Sequence, residues 1–231
     1  MTQSLFGCIG RPALPEPLRL GTPVGTLLTA FCSSETGANE SLPQSDFSLS
    51  NGARLSRFDA SMAEIEVVTG LINPDIPSHM RIGGCRAALW RVRAHGSLHL
   101  VRFSCWWPDA PTLADGAPDT GEGLDAYTWW MGDSVLSVGT EDGEFLAHRA
   151  SANNHVPSRL GPELSLSTVQ YSQSRMDVPF STLERGELLQ VQFVAAWEES
   201  SSPESASTWF AVEQRPALVY EQLVGSGTNA G

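Results

Sequence analysis

Four of the seven tryptophans stand in two adjacent pairs, Trp106-Trp107 and Trp129-Trp130, and Asp109, Asp115, Asp119, Glu122 and Asp125 are spread between them. Indoles beside carboxylates suit two tasks. A flat ring stacks on the apolar face of a pyranose while carboxylates accept from its hydroxyls. The same ring is a frequent anchor of protein–protein contacts. Adjacent residues of an extended chain face opposite ways, so each pair should place one indole inward and one outward. Trp107 shares its parity with Val101, Phe103 and Cys105 and is read as inward, which leaves Trp106 outward. In the second pair a bulge expected at Gly132-Asp133 blurs the parity, and Trp129 is read as outward. Trp106, Trp129 and the five acidic residues form the candidate binding site, with the acidic stretch as a loop. The bland reading is that all four indoles are core and the acidic stretch only covers them.

Other chemistry finds weaker footing. The acidic spacing matches no calcium loop, although the oxygen ligands would suit that ion. Asp133-Ser134 lacks the glycines and the strand-to-helix setting of a nucleophile elbow. His99 shares the parity of Val101 and Phe103, so it is expected to face inward, where Glu64 or Glu66 could complete an acid–base pair. A core histidine satisfied by a backbone carbonyl is the simpler expectation. Cys85, His95, His99 and Cys105 could be imagined around zinc. Strand rise, however, separates the histidines from the thiols by roughly 20–30 Å along a ribbon. No metal and no cofactor is expected, and no phosphate loop or dinucleotide fingerprint is present.

The elements that would position these residues are strands. In Arg86–Trp107 two alternating runs flank His95-Gly96-Ser97, which reads as a hairpin turning on a positive-φ Gly96 and bringing Cys85 close to Cys105. Strands are also read at Val24–Cys32, through Ile65, Val67 and Thr69, from Trp129 toward Val138, at Leu164–Tyr171 and at Leu189–Trp197. Glu141-Asp142-Gly143-Glu144 reads as a hairpin tip, with Phe145–Ala150 returning, and Ser207–Gln214 as the second arm of a further hairpin. Convincing helical periodicity is not visible. The expected fold is all-β with very little helix: a single-domain antiparallel β-sandwich or jelly roll, with a closed barrel as runner-up. A Pro/Gly-rich arm (1–22) precedes the sandwich (23–224), and a disordered tail (225–231) follows it.

Composition narrows the partners. The chain of 231 residues carries a net charge of −12, and all 14 basic residues are arginine. A field of that sign repels phosphate backbones and anionic lipid, so nucleic acid and membrane surfaces are not expected partners. The only candidate basic patch comprises Arg86, Arg91, Arg93 and Arg102. Four cysteines without CxxC spacing suit reduced thiols. The N-terminus has no signal-peptide pattern and no apolar run is long enough for a membrane span, so a cytoplasmic location is the expectation. The leading function is non-catalytic recognition of a protein or glycan through the strand-end tryptophans, with homo-oligomerisation as a further expectation. The alternative is an enzyme acting on a small hydrophobic molecule in an aromatic-lined cavity.

Overall fold

The structure is a computed structural model that describes residues 4–38, 43–109, 115–121, 123–164, 169–172, 174–199 and 205–225. In chain order the strands are β1 (Arg11–Ala13), β2 (Arg19–Gly21), β3 (Thr26–Ser33), β4 (Gly37–Ala38), β5 (Ser45–Ser48), β6 (Arg54–Ala60), β7 (Ala63–Leu71) and β8 (Gly84–Ala94). They continue with β9 (Leu98–Trp106), β10 (Asp115–Gly121), β11 (Leu124–Met131), β12 (Ser134–Glu141), β13 (Gln170–Ser172), β14 (Arg175–Leu183) and β15 (Leu188–Glu199). The helices are α1 (Gly143–Ser151), α2 (Gly161–Leu164), α3 (Ser205–Val212) and α4 (Pro216–Val224). A nine-stranded sheet runs in the order β1-β5-β6-β7-β8-β15-β12-β11-β10. The second sheet runs β13-β14-β9-β3-β2, with β4 attached to β3. Strand exceeds helix, the sheets are antiparallel, and neither closes into a barrel, as expected of a sandwich.

Alternation sets the inner faces. Ile65, Val67, Trp90, Val92, Val191 and Phe193 from one sheet meet Phe31, Phe103, Val178 and Phe180 from the other in one apolar core. Phe103 is the hub, with Phe31 at 5.2 Å, Phe180 at 6.0 Å and Trp90 at 6.2 Å between ring centroids. Leu146 and Ala150 of α1, with Leu160 and Leu164, close the side of this core. A second core lies on the outer face of the nine-stranded sheet. There Leu89, Val194, Ala196 and Ala126 are covered by Phe6, by Val212 of α3 and by Val219 and Leu223 of α4. The N-terminal arm supplies an edge strand to each sheet, β1 and β2. Most of the expected tail, residues 226–231, lies outside the described residues.

Several local expectations fail. The run Arg86–Trp107 is not a hairpin. β8 pairs with β7 and β15, β9 pairs with β3 and β14, and His95-Gly96-Ser97 carries the chain from one sheet to the other. Alternation marks a strand but does not name its partner. Cys85 therefore lies opposite Ala196, and Cys105 opposite Thr29 and Met176; both are free thiols. Gly96 does not take positive φ, and a Cβ there would meet only the flexible end of the Met62 side chain, Cε at 2.1 Å. Asp142-Gly143 opens helix α1, because the Asp142 carboxylate caps it by accepting from the Phe145 N–H at 2.7 Å. The stretch Ser207–Val212 is helical although Thr208, Trp209, Phe210 and Val212 favour strand, because burial on the second core outweighs local propensity. In place of the strand read at Leu164–Tyr171, Leu164 ends α2, residues 165–168 lie outside the described residues, and Gln170–Ser172 forms β13. Gly132-Asp133 is the tip of the β11–β12 hairpin, with Gly132 at φ +57°, and not a bulge.

Candidate functional site

The two tryptophan pairs meet, but by their inward members. Trp107 and Trp129 are both buried and pack edge to face with centroids 5.6 Å apart and planes at 87°. Tyr127 adds a third ring 4.8 Å from Trp129. The outward assignment of Trp129 is thus corrected. With a turn at Gly132-Asp133 the parity of β11 is unbroken, so Trp129 faces in with Tyr127 and Trp130 faces out. Trp106 is outward as expected, but half-buried, with the Arg175 guanidinium 5.1 Å from its ring centre. Arg175 is held in turn by Asp177 at 2.8 Å and the Ser104 hydroxyl at 2.7 Å. Trp106 lies on the outer face of the second sheet and Trp130 on that of the nine-stranded sheet, so the two cannot grip one ligand.

The acidic stretch is only partly a loop. Asp115 and Asp119 belong to β10, the edge strand beyond β11, and both are exposed. Register puts Asp115 directly opposite Trp130, and Asp119 opposite Ala126 on the same face. Directly opposed residues of a ribbon have Cβ atoms about 4.5–5.5 Å apart, so the Asp115 carboxylate borders the Trp130 ring. At the far end of β10 the Trp209 ring of α3 covers Gly121, where a Cβ would come 2.4 Å from it. One outer strip thus runs from Trp130, 37% exposed, past Asp115 and Asp119 to Trp209. Asp125 is not part of it. It faces the core and accepts from the Tyr171 hydroxyl at 2.6 Å; burial raises its carboxyl and pushes the Tyr171 hydroxyl up as well. Asp109 is exposed just beyond Trp107, apart from this strip, and Glu122 lies outside the described residues.

His99 does not face inward. Leu100 takes φ +50°, which interrupts the alternation of β9 and leaves both residues exposed. His99 Nδ1 meets Glu35 at 2.8 Å on the surface, and that contact with the His99 ring and N–H holds the Glu35 carboxyl at about 2. Glu64 pairs with Arg93, and Glu66 is buried elsewhere, so no acid–base pair forms with either. Arg91 is likewise buried and belongs to no surface patch. Its guanidinium lies over the Phe6 and Tyr220 rings at 4.6 and 4.9 Å and donates to Gln190 and to the Leu5 carbonyl. Among the described residues no three metal-ligating side chains converge.

A buried polar belt that the sequence does not announce lies on the outer face of the nine-stranded sheet. Glu66, Arg91 and Gln190 stand in register across β7, β8 and β15. Farther along, Glu141 receives Arg149 of α1, and Gln192 donates to the Gln214 carbonyl at 2.6 Å. Glu141 and Gln192 line a cleft of about 220 Å3 with Thr140, Phe145 and Gln214, and each keeps a buried side-chain oxygen without a partner. Burial pushes the Glu141 carboxyl up to about 7 against the opposing pull of Arg149. Burial, with Arg91 and Arg149 nearby, brings His155 down to about 4. No sequence signal separates these residues from an ordinary solvated face, because burial comes from elements distant in the chain.

No family model matches the sequence, and no curated protein matches it. Among solved structures of related shape is one described as "Putative kojibiose phosphorylase from human microbiome", at 7% identity and a TM-score of 0.48. That likeness covers 84% of this chain and 26% of the other, so the chain spans about a quarter of that protein's length. Nothing about activity follows from a likeness of this degree.

Proposed function

We propose that this protein is a non-catalytic recognition sandwich that binds a glycan along the outer face of the β10–β11 ribbon. The observation that carries the reading is the exposed Trp130 indole with the Asp115 carboxylate directly across from it. The ring offers a stacking plane held by a hydrogen-bonded strand. Asp115 and Asp119 offer acceptors for hydroxyls on the same face. A protein partner fits less well. Hot-spot tryptophans sit at the centre of dry, apolar pockets, whereas Trp130 is bordered by Asp115 and lies close to the exposed Gly132-Asp133 tip. Self-association through the β10 edge is opposed by Pro118 and the carboxylates, which blunt an edge strand.

The test is affinity electrophoresis of the whole chain in gels containing soluble polysaccharides of differing linkage. At least one polysaccharide should retard the parent, and Trp130→Ala should remove the retardation while Trp106→Ala keeps it. Retardation of the Trp130→Ala variant equal to the parent's would refute the site. Absence of retardation in every gel would refute the ligand class.

A further inference from the structure

In a chain of net charge −12, three of its 14 arginines line one cleft. The cleft holds about 610 Å3 and lies where β2 of one sheet meets β6, β7 and β8 of the other. Arg19, Arg54 and Arg86 supply its charge, and Leu18, Leu71 and Thr69 part of its remaining wall. Alternation explains the placement. Arg54 lies opposite Thr69, and Arg86 opposite Leu71, on the parity that builds the inter-sheet core farther in. At this rim the core ends and the inward positions become polar.

The three guanidinium groups are not equally occupied. Arg54 is held by Glu16 at 2.6 Å and Asp46 at 2.5 Å. Among the described residues Arg19 and Arg86 have no ion-pair or hydrogen-bond partner, and Nε of Arg86 is buried and unpartnered. A buried donor left unpaired is costly, and a charged one more so. Three arginines against Glu16 and Asp46 leave a surplus of one positive charge. That surplus suits a monoanion. The volume falls within the roughly 300–1,000 Å3 of small-molecule sites, more than a bare ion needs.

We propose that this cleft binds a small organic carboxylate, with its carboxylate on Arg86 and Arg19 and its carbon body against Leu18 and Leu71. A guanidinium fork matches a planar carboxylate in two parallel hydrogen bonds. Leu71, 65% exposed in the free protein, would be covered by the ligand. This site is independent of the Trp130 strip.

The experiment is calorimetric titration of the whole chain with hexanoate, glucuronate, hexanamide and inorganic phosphate. Saturable binding of hexanoate or glucuronate is expected, with none for hexanamide. Arg86→Gln should weaken binding about tenfold or more, the loss of one charge-assisted contact. Arg19→Gln, at an exposed position that leaves folding intact, should weaken it in the same direction, and Trp130→Ala should leave it unchanged. Failure of both carboxylates to bind, equal binding of hexanamide, or unaltered affinity in both arginine variants would overturn the proposal. Phosphate binding more tightly than either carboxylate would overturn the ligand class.

Discussion

On its inner face the nine-stranded sheet presents Trp90, Val92, Val191 and Phe193, all fully buried. On its outer face β7, β8 and β15 present Glu66, Arg91, Gln190 and Gln192, and these are buried too. The inner face is apolar and aromatic, and the buried Trp90 indole donates to the Thr29 hydroxyl at 2.9 Å. The outer face is closed by α3, α4 and the N-terminal segment, and Glu66 and Arg91 are hydrogen-bonded under that cover. Period-two alternation creates both faces. What decides whether the polar one is wet is a covering layer drawn from both ends of the chain.

The largest effect should come from the inner face. Trp90→Ala empties a large, fully buried volume and should cost about 3–5 kcal/mol in chemical denaturation. A loss near 1 kcal/mol would mean that the inner core is looser than its packing implies. On the outer face, Arg149→Met strips Glu141 of its cation and should cost about 3 kcal/mol at pH 8. The cost should shrink at pH 5, where Glu141 is protonated. A cost independent of pH would place the importance of Arg149 in packing alone.

The outer face should also carry a pH signature that the inner face lacks. Glu141 ionises near 4.5 in the unfolded chain and about 7 in the folded one. Its contribution to stability is complete below pH 4.5 and is lost as pH rises through about 7. His155 has the opposite sign. It protonates near 6.5 unfolded but only at about 4 folded, so stability falls as pH drops from 6.5 toward 4. Glu141→Gln should therefore gain on the parent between pH 4.5 and 7, by on the order of 1–3 kcal/mol. His155→Gln should gain on the parent as pH falls from 6.5. A stability difference flat in pH for either variant would break that assignment. The smallest effect belongs to the exposed ring: Trp130→Ala should change stability by less than about 0.5 kcal/mol. A loss comparable to that of Trp90→Ala would show Trp130 to be core.

Much of the inner face was legible in the chain itself. Trp107, Ile65, Val67, Phe103 and Phe193 announce their side by alternation, and a two-sheet sandwich follows from several such runs without helical periodicity. Strand partners were not legible, which is why β8 and β9 were read as one hairpin. The helices were hidden because α1 opens on an Asp-Gly that also suits a turn, and α3 is apolar on nearly every side. In the candidate site Trp106 was placed on the correct side. Trp129 and Trp130 exchange sides because Gly132-Asp133 is a turn and not a bulge. The belt from Glu66 to Glu141 carries no mark in the sequence, since its cover comes from distant segments: Arg91 alone lies under Phe6 and Tyr220, more than two hundred residues apart.

The most direct test of the central claim is amide hydrogen exchange of the whole chain with and without a retained polysaccharide. Binding along the Trp130 strip should slow exchange in peptides covering β10 and the β11–β12 tip, 115–121 and 127–135, and leave 102–106 and 175–179 unchanged. Protection confined to the face that carries Trp106 and Arg175, with none on the β10–β11 ribbon, would contradict it.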